Sequence, residues 1–317
     1  MRVLLHHDRP EVFADLVTSR FDDIEVELCR SYDALAGMLA SFAPEVMFCI
    51  KFENRPYPRA PVIDSRSLKW VGVGGVGVDH LVPWDPSRLT VTNGAGVPSE
   101  VMGMYVIGGI IALTMGLPRF IRQQMQHVWK WHYVGQVAGR TVTVVGLGHT
   151  GRAVARLATG IGLRVVGTRA RPRPTEHVDR VYGASELHKA LSEGDYVVVA
   201  TPLIEGTRDL IDHAAIEAMK PGAYVIDVSR GGVVGPEALL AGLRSGKLGG
   251  AMLDVFETEP MPPDSPFWDL ENVIITPHSS GVFEGWERSA VQVFCDNLVR
   301  WRAGEPLANV VDPARGY

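Results

Sequence analysis

Short apolar runs rich in valine and isoleucine alternate along this chain with longer stretches whose apolar positions recur at helical spacing. In the first hundred residues, strand-like runs fall at 3–7, 24–29, 46–50, 70–74 and 90–92, with amphipathic helices predicted over 11–20 and 33–42. The alternation restarts at residue 141. TVTVVG (141–146) reads as a strand, 149–160 as a helix and RVVGT (164–168) as a second strand. A helix around 185–192, the strand DYVVVATP (195–202), a helix around 213–220 and the strand AYVIDVS (223–229) follow. A helix over 236–245, opened by a proline and closed by Gly246, precedes AMLDVF (251–256) and NVIITP (272–277). Apolar strands without polar alternation, separated by helices, indicate parallel sheets covered on both faces. The expected fold is α/β, with two doubly wound, Rossmann-like parallel-sheet domains. A long helix over 284–303 follows the second series and is expected to return to the first domain, which is then discontinuous: 1–99 with 285–317, around a second domain of 100–284.

A chain of 317 residues exceeds one ordinary core, in keeping with two domains. The hydrophobic share of 46% and charged share of 21% are those of a soluble globular protein. A net charge of −5 argues against a nucleic-acid partner, although a local basic cluster can still hold a single phosphate. Cys29, Cys49 and Cys295 form no CxxC pair and read as reduced thiols of a cytoplasmic protein. The opening MRVLLHHDRP has too short an apolar run for a signal peptide. Residues 101–117 carry no charge, but they sit mid-chain and contain glycines. They read as a helix buried between domains or subunits, so no membrane contact is expected. No HExxH motif or Cys/His cluster suggests a metal.

Gly146-Leu-Gly148-His149-Thr150-Gly151 lies between a strand and a helix. Its first glycine permits the tight turn, its second lets backbone approach a pyrophosphate, and its third allows close helix–strand packing. The helix N-terminus adds NH groups and a positive dipole, and His149 is read as contributing backbone only. The strand that follows leads into GTRARPRP (167–174). Where a dinucleotide site for NAD usually carries an acid for the ribose 2′-hydroxyl, this chain has Arg169, followed by Arg171 and Arg173. A guanidinium clamps phosphate oxygens in parallel bonds, and Thr168 adds a hydroxyl. The cofactor expected is NADP, with NADPH preferred to NADH.

Three further segments stand at strand ends: DVSRGG (227–232), LDVFETEP (253–260) and TPHSSG (276–281). Each alone is an ordinary turn. In this order behind the glycine fingerprint, together with VGVGGVGVDH (71–80) and the ending VDPARGY (311–317), the chain resembles the D-isomer-specific 2-hydroxyacid dehydrogenases. The basic nucleotide loop and the ending are most similar to the NADPH-dependent glyoxylate/hydroxypyruvate reductase branch. The resemblance implies that Arg230, Glu259 and His278 are catalytic. Arg230 would pair with the substrate carboxylate and polarise its keto oxygen. His278 would protonate that oxygen, and Glu259 would hold the imidazolium and favour its charged form. Backbone NH groups of Val76 and Gly77 would bind the carboxylate, with Lys51 a further substrate contact. Thr201, Pro202, Leu203 and Thr207 would lie toward the adenosine, and Val228, Ser229, Arg230, His278 and Ser280 toward the nicotinamide. Asp254 would meet the carboxamide, the alternative being a strand-end cap.

The interdomain helix of the family commonly carries Ala-Glu where this chain has Gly103-Met104, so no role is carried over to that glutamate. The implied activity is reduction of a small 2-oxo acid, glyoxylate or hydroxypyruvate, to the D-2-hydroxy acid. Bulky apolar residues expected around the substrate (Phe52, Met104 and Trp131, with Lys51) favour a small R group, phenylpyruvate being the competitor. Within the fold, a phosphoglycerate or phosphite dehydrogenase and a nucleotide-sensing corepressor are the other readings. A homodimer is expected from the greasy 101–117 helix and the aromatic segment 128–133.

Overall fold

The computed structural model describes residues 1–53 and 55–313, so the last four residues of the VDPARGY ending lie outside the described residues. The chain divides into two compact units, Met1–Val97 with Phe283–Tyr317 and Pro98–Val282.

The first unit runs β1 (Arg2–His6), α1 (Glu11–Arg20), β2 (Glu25–Cys29), α2 (Tyr32–Phe42), β3 (Val46–Cys49), α3 (Arg59–Ile63), β4 (Trp70–Val73) and β5 (Thr90–Thr92). The strands form one parallel sheet in the order β2-β1-β3-β4-β5. Side chains alternate across a sheet, and here each face has its own core. Val3, Leu5, Val46, Phe48 and Trp70 face Phe13 and Val17 of α1, whereas Leu4, Met47, Val71 and Val91 face Leu35 and Leu39 of α2. This is why the strands read as continuous apolar runs.

The second unit begins with α4 (Ser99–Thr114) and α5 (Leu117–Met125). It continues with β6 (Thr141–Val145), α6 (His149–Gly160), β7 (Arg164–Thr168), β8 (Arg180–Tyr182), α7 (Leu187–Leu191), β9 (Tyr196–Val199) and α8 (His213–Ala218). Then come β10 (Ala223–Asp227), α9 (Pro236–Ser245), β11 (Leu248–Leu253) and β12 (Val273–Ile275). Its seven parallel strands lie in the order β12-β11-β10-β9-β6-β7-β8. Strand order reverses between β6 and β9, which places the glycine fingerprint at the topological switch point, where such sheets bind ligands. The last helix, α10 (Trp286–Ala303), belongs to the first unit. It stacks Phe294 on Trp70, and Arg288 grips Asp15 of α1 through two bonds of 2.8 and 2.9 Å.

The uncharged run predicted as one helix is instead α4 and α5, bent by 67°. Gly116, at φ +68, takes the left-handed conformation that ends α4, and Pro118 cannot continue its ladder. No single helix among the described residues is long and apolar enough to cross a membrane. Buried Val106, Ile110 and Leu113 of α4 join the core around β6. Gly103, the departure noted above, lies where a Cβ would come within 2.9 Å of Leu157 and 3.3 Å of Ala153 on α6. The glycine therefore permits a close helix–helix approach. Neither β8 nor α3 was predicted, since three- and five-residue elements are too short to show a period.

One end of the first sheet carries a polar burden. His6, fully buried at the end of β1, bonds through Nδ1 to the Tyr57 hydroxyl at 2.9 Å, and its Nε2 makes no well-formed hydrogen bond among the described residues. Burial holds both His6 and His80 down at about 4. A histidine kept neutral by folding contributes stability that is complete above pH 6.5 and is lost as pH falls toward 4, because the unfolded chain takes up the proton. Each shift corresponds to about 3 kcal/mol at the low end. Urea denaturation between pH 7 and 4.5 should show a steep loss in the native chain and a clearly smaller one in His6→Gln/His80→Gln. Equal losses would sink the assignment.

Candidate active site

The nucleotide loop is shaped by glycines for two different reasons. Gly146 has φ +101, and a Cβ there would lie 2.8 Å from the Ala200 oxygen. A Cβ on Gly151 would lie 2.0 Å from the Gly146 oxygen, so the turn closes only around hydrogen. Gly148 differs, because nothing lies within 4 Å of its Cβ position. It is the N-cap of α6 and provides no side-chain cap for the first NH groups of that helix. His149 is exposed, and the Thr150 hydroxyl rests 3.6 Å from the Met102 sulfur.

Thr168 is buried at the end of β7, and the Arg169 NH bonds to the Tyr182 oxygen at 3.0 Å, which fixes where the basic loop departs. Partial burial and the like charges of Arg173 and Arg152 hold the Arg169 guanidinium below its ordinary value. Arg152, on the first turn of α6, thus joins this cluster. Among the described residues no carboxylate pairs with Arg152, Arg169, Arg171 or Arg173. Beyond β9, the Thr207 hydroxyl donates to the Pro202 oxygen at 2.6 Å and accepts from the Ile204 NH at 2.8 Å, closing the loop that carries Thr201 and Leu203.

The three strand-end segments meet at the ends of β10, β11 and β12. His278 has φ +52, an unfavourable conformation for a side chain, held because its NH donates to the Asp254 oxygen at 2.8 Å. Its Nδ1 bonds to Glu259 Oε2 at 2.8 Å, while Glu259 Oε1 accepts from the Phe256 NH at 2.9 Å. With Nδ1 committed, Nε2 is the nitrogen left for other chemistry.

Fully buried Asp254 gathers the loop around itself. Its Oδ1 accepts from Thr276 Oγ1 at 2.7 Å and the Ser279 NH at 2.8 Å, and its Oδ2 from the Ser280 NH at 3.0 Å. The Tyr105 hydroxyl of α4 bonds to Thr276, and burial pushes it up to about 12. Arg230 Nη1 donates to the Ser229 oxygen at 2.8 Å, and Val228 and Ser229 are buried. A Cβ on Gly231 would sit 2.1 Å from the Phe256 oxygen, so the Arg230 turn lies directly on the backbone leading to Glu259.

In the first unit, Lys51 is exposed after β3. The loop carrying Val76 and Gly77 is braced by Asn93, whose Nδ2 donates to the Val76 oxygen at 2.7 Å, and by the Gly94 NH on the Gly75 oxygen at 2.8 Å.

Residues 107–280 match the model of the D-isomer specific 2-hydroxyacid dehydrogenase NAD binding domain. The chain belongs to this family. It is 33% identical to the glyoxylate reductase of Korarchaeum cryptofilum over 90% of this chain and 85% of that one. It is 36% identical to the (S)-sulfolactate dehydrogenase of Chromohalobacter salexigens, over 88% of this chain and 93% of the relative. A D-isomer-specific 2-hydroxyacid dehydrogenase of Xanthobacter autotrophicus, solved with NADPH and MES, shares 30% identity, covers 99% of both chains and superposes with a TM-score of 0.85. The protein is therefore an oxidoreductase with a nucleotide-binding domain, of the class that interconverts 2-oxo and 2-hydroxy acids.

Sequence reasoning missed Arg152, Asn93, Tyr105, Thr276 and Asp227. Tyr105 was discoverable as a hydroxyl in an otherwise greasy helix. Arg152, Asn93 and Thr276 act through partners that only the folded chain brings near, and Asp227 through Ser229, two residues on, in a segment read only for Arg230. The two kinds of glycine make separable predictions. Gly151→Ala should lower the melting midpoint by about 5 °C or more, whereas Gly148→Ala should leave it within about 2 °C. Indistinguishable melting curves for the two variants would contradict the steric account.

Proposed function

We propose that this protein reduces small 2-oxo acids, glyoxylate and hydroxypyruvate, to D-2-hydroxy acids with NADPH as hydride source and His278 as proton donor. The observation that carries the reading is the His278 side chain, set by Glu259 through Nδ1 on a loop clamped by Asp254. Held in this way, Nε2 can carry a proton to a developing alkoxide and Glu259 offsets the imidazolium charge. Arg230 binds the substrate carboxylate and draws charge onto the keto oxygen, while the Val76 and Gly77 NH groups and Lys51 complete the anion site. Residues 1–99 with 285–317 act as the substrate-binding domain and 100–284 as the NADP-binding domain.

The residues present fit the nucleotide. Gly148 leaves space at an uncapped helix N-terminus, which suits a pyrophosphate. Thr168, Arg169 and Arg171 suit a 2′-phosphate, and the chain carries no acidic residue between Glu100 and Glu176 to oppose it. When bound, the reduced nicotinamide supplies the hydride. Thr201, Pro202, Leu203 and Thr207 flank the adenosine side, and Val228, Ser229 and Ser280 the nicotinamide side. The relative solved with NADPH supports the same preference.

Assembly as a homodimer is part of this reading. Trp129, Trp131 and Tyr133 are 103%, 74% and 91% exposed, and α5 buries none of its residues although it presents Ile121 and Met125. Such a surface suits a second copy. Light scattering at micromolar concentration should return twice the chain mass, and a monomer there would exclude the dimer.

The substrate is tested with a panel of 2-oxo acids assayed with NADPH and NADH. Glyoxylate or hydroxypyruvate should give the highest kcat/KM, and NADPH should exceed NADH by at least about tenfold, a preference that Arg169→Asp erases. Higher turnover of phenylpyruvate, or of 3-sulfopyruvate as the sulfolactate relative suggests, would replace the substrate and leave the reaction class. Equal use of both cofactors would overturn the NADP assignment.

A further inference from the structure

Asp227 ends β10 three residues before Arg230, and it is nearly fully buried. Its Oδ1 accepts two hydrogen bonds from one residue, the Ser229 NH at 3.0 Å and the Ser229 hydroxyl at 2.5 Å. Ser229 in turn accepts from Arg230 Nη1 through its main-chain oxygen at 2.8 Å. The main-chain oxygen of Asp227 receives the Asp254 NH at 3.0 Å, which sets the two strand ends, each with a buried carboxyl group, side by side. One organises the turn bearing Arg230, the other the loop bearing His278. Beneath the Arg230 turn lies a cavity lined by Asp227, Gly231, Leu239, Phe256 and Phe267. The turn rests on the Phe256 backbone at Gly231, and the hydrogen bonds to Asp227 tie down its Ser229 end.

We propose that Asp227 is a positioning residue for Arg230, setting substrate affinity through the Ser229 turn without touching substrate. The inference rests on the assignment of Arg230 as the carboxylate-binding residue. A carboxylate accepts these two bonds more strongly than a neutral carboxyl group does. Burial, with the nearby Asp254, pushes Asp227 up to about 7. The charged groups that face it are Asp254 at the end of β11, and Glu257 with its partner Arg208 at 3.8 Å on the segments over the cavity. The neighbouring strand β9 sets only Val199 beside it. Both protonation forms are thus populated near neutrality, and the looser one predominates on the acid side.

The test is steady-state reduction of glyoxylate by the native chain, Asp227→Ala, Asp227→Asn and Arg230→Ala from pH 6 to 8. Asp227→Ala should raise KM by about tenfold or more with kcat within about threefold, the loss of roughly one charge-assisted bond pair. Asp227→Asn keeps an accepting Oδ1 and should restore KM to within about threefold of the native value. The native KM should rise as pH falls through 7, and the asparagine variant should lose that rise. An unchanged KM in Asp227→Ala, or a fall in kcat alone, overturns the proposal. If the alanine variant does not fold, Asp227→Asn decides, because an acid-side rise equal to the native one also overturns it. Arg230→Ala separates the two levels. If its KM is unchanged, the role of Arg230 itself falls, whereas a raised KM there with a native-like Asp227→Ala removes only Asp227.

Discussion

Asp254 lies fully buried where β11 ends, and its two carboxyl oxygens draw in a threonine hydroxyl and two successive backbone NH groups from the loop after β12. A buried acceptor of this kind is strongly destabilising if left unmet, so the loop closes around it rather than fluctuating. That closure holds His278 in a backbone conformation which L side chains disfavour, and in that conformation Nδ1 lies beside Glu259. The strain is local, and the bonds that retain it come from a neighbouring strand. One strand away, buried Asp227 accepts two bonds from Ser229 of its own strand end, in the turn that leads to Arg230.

Charge is distributed with a comparable division of labour. The chain is acidic overall, yet residues 101–175, from within α4 to the basic loop after β7, contain no acid. Arginines that would elsewhere be neutralised in ion pairs are left facing one another around Arg169, at the end of the sheet where the helix dipole of α6 is also positive. Repulsion among Arg152, Arg169 and Arg173 disfavours this arrangement in isolation and favours any polyanion that relieves it. By contrast, the ion pairs joining α10 to α1 are exposed and worth little individually; the stacking of Phe294 on Trp70 beneath them holds that helix to the sheet.

Periodicity predicted most of the secondary structure because it is a local property. Glu11–Arg20, His149–Gly160 and Pro236–Ser245 were legible to the residue, since apolar spacing and a terminal proline or glycine are written within each helix. The glycine fingerprint was legible for the same reason: a turn, a close approach and a helix start all fall within six residues. The single helix expected over 101–117 failed at Gly116, where one left-handed glycine outweighed an unbroken apolar composition. Short β8 was invisible until β7 was there to pair with it.

Which residues act together was not legible in this way. Asp254 reads in the chain as a strand-end acid; its partners lie 22 to 26 residues away in the loop and, through Tyr105, 149 residues away on α4. Asn93 and Arg152 are similar cases, ordinary in sequence and consequential because the fold sets Asn93 against the Val76 loop and α6 beside β7, whereas Asp227 bonds within its own strand end to Ser229, two residues on. The amino-acid sequence alone determined the elements, the nucleotide fingerprint and the residue types for acid–base chemistry, since these depend on neighbours along the chain. Tertiary structure decided which nitrogen of His278 is left unbonded by Glu259 and which carboxyl group holds the His278 loop, because hydrogen bonds between distant residues exist only once the sheet has brought them within 3 Å.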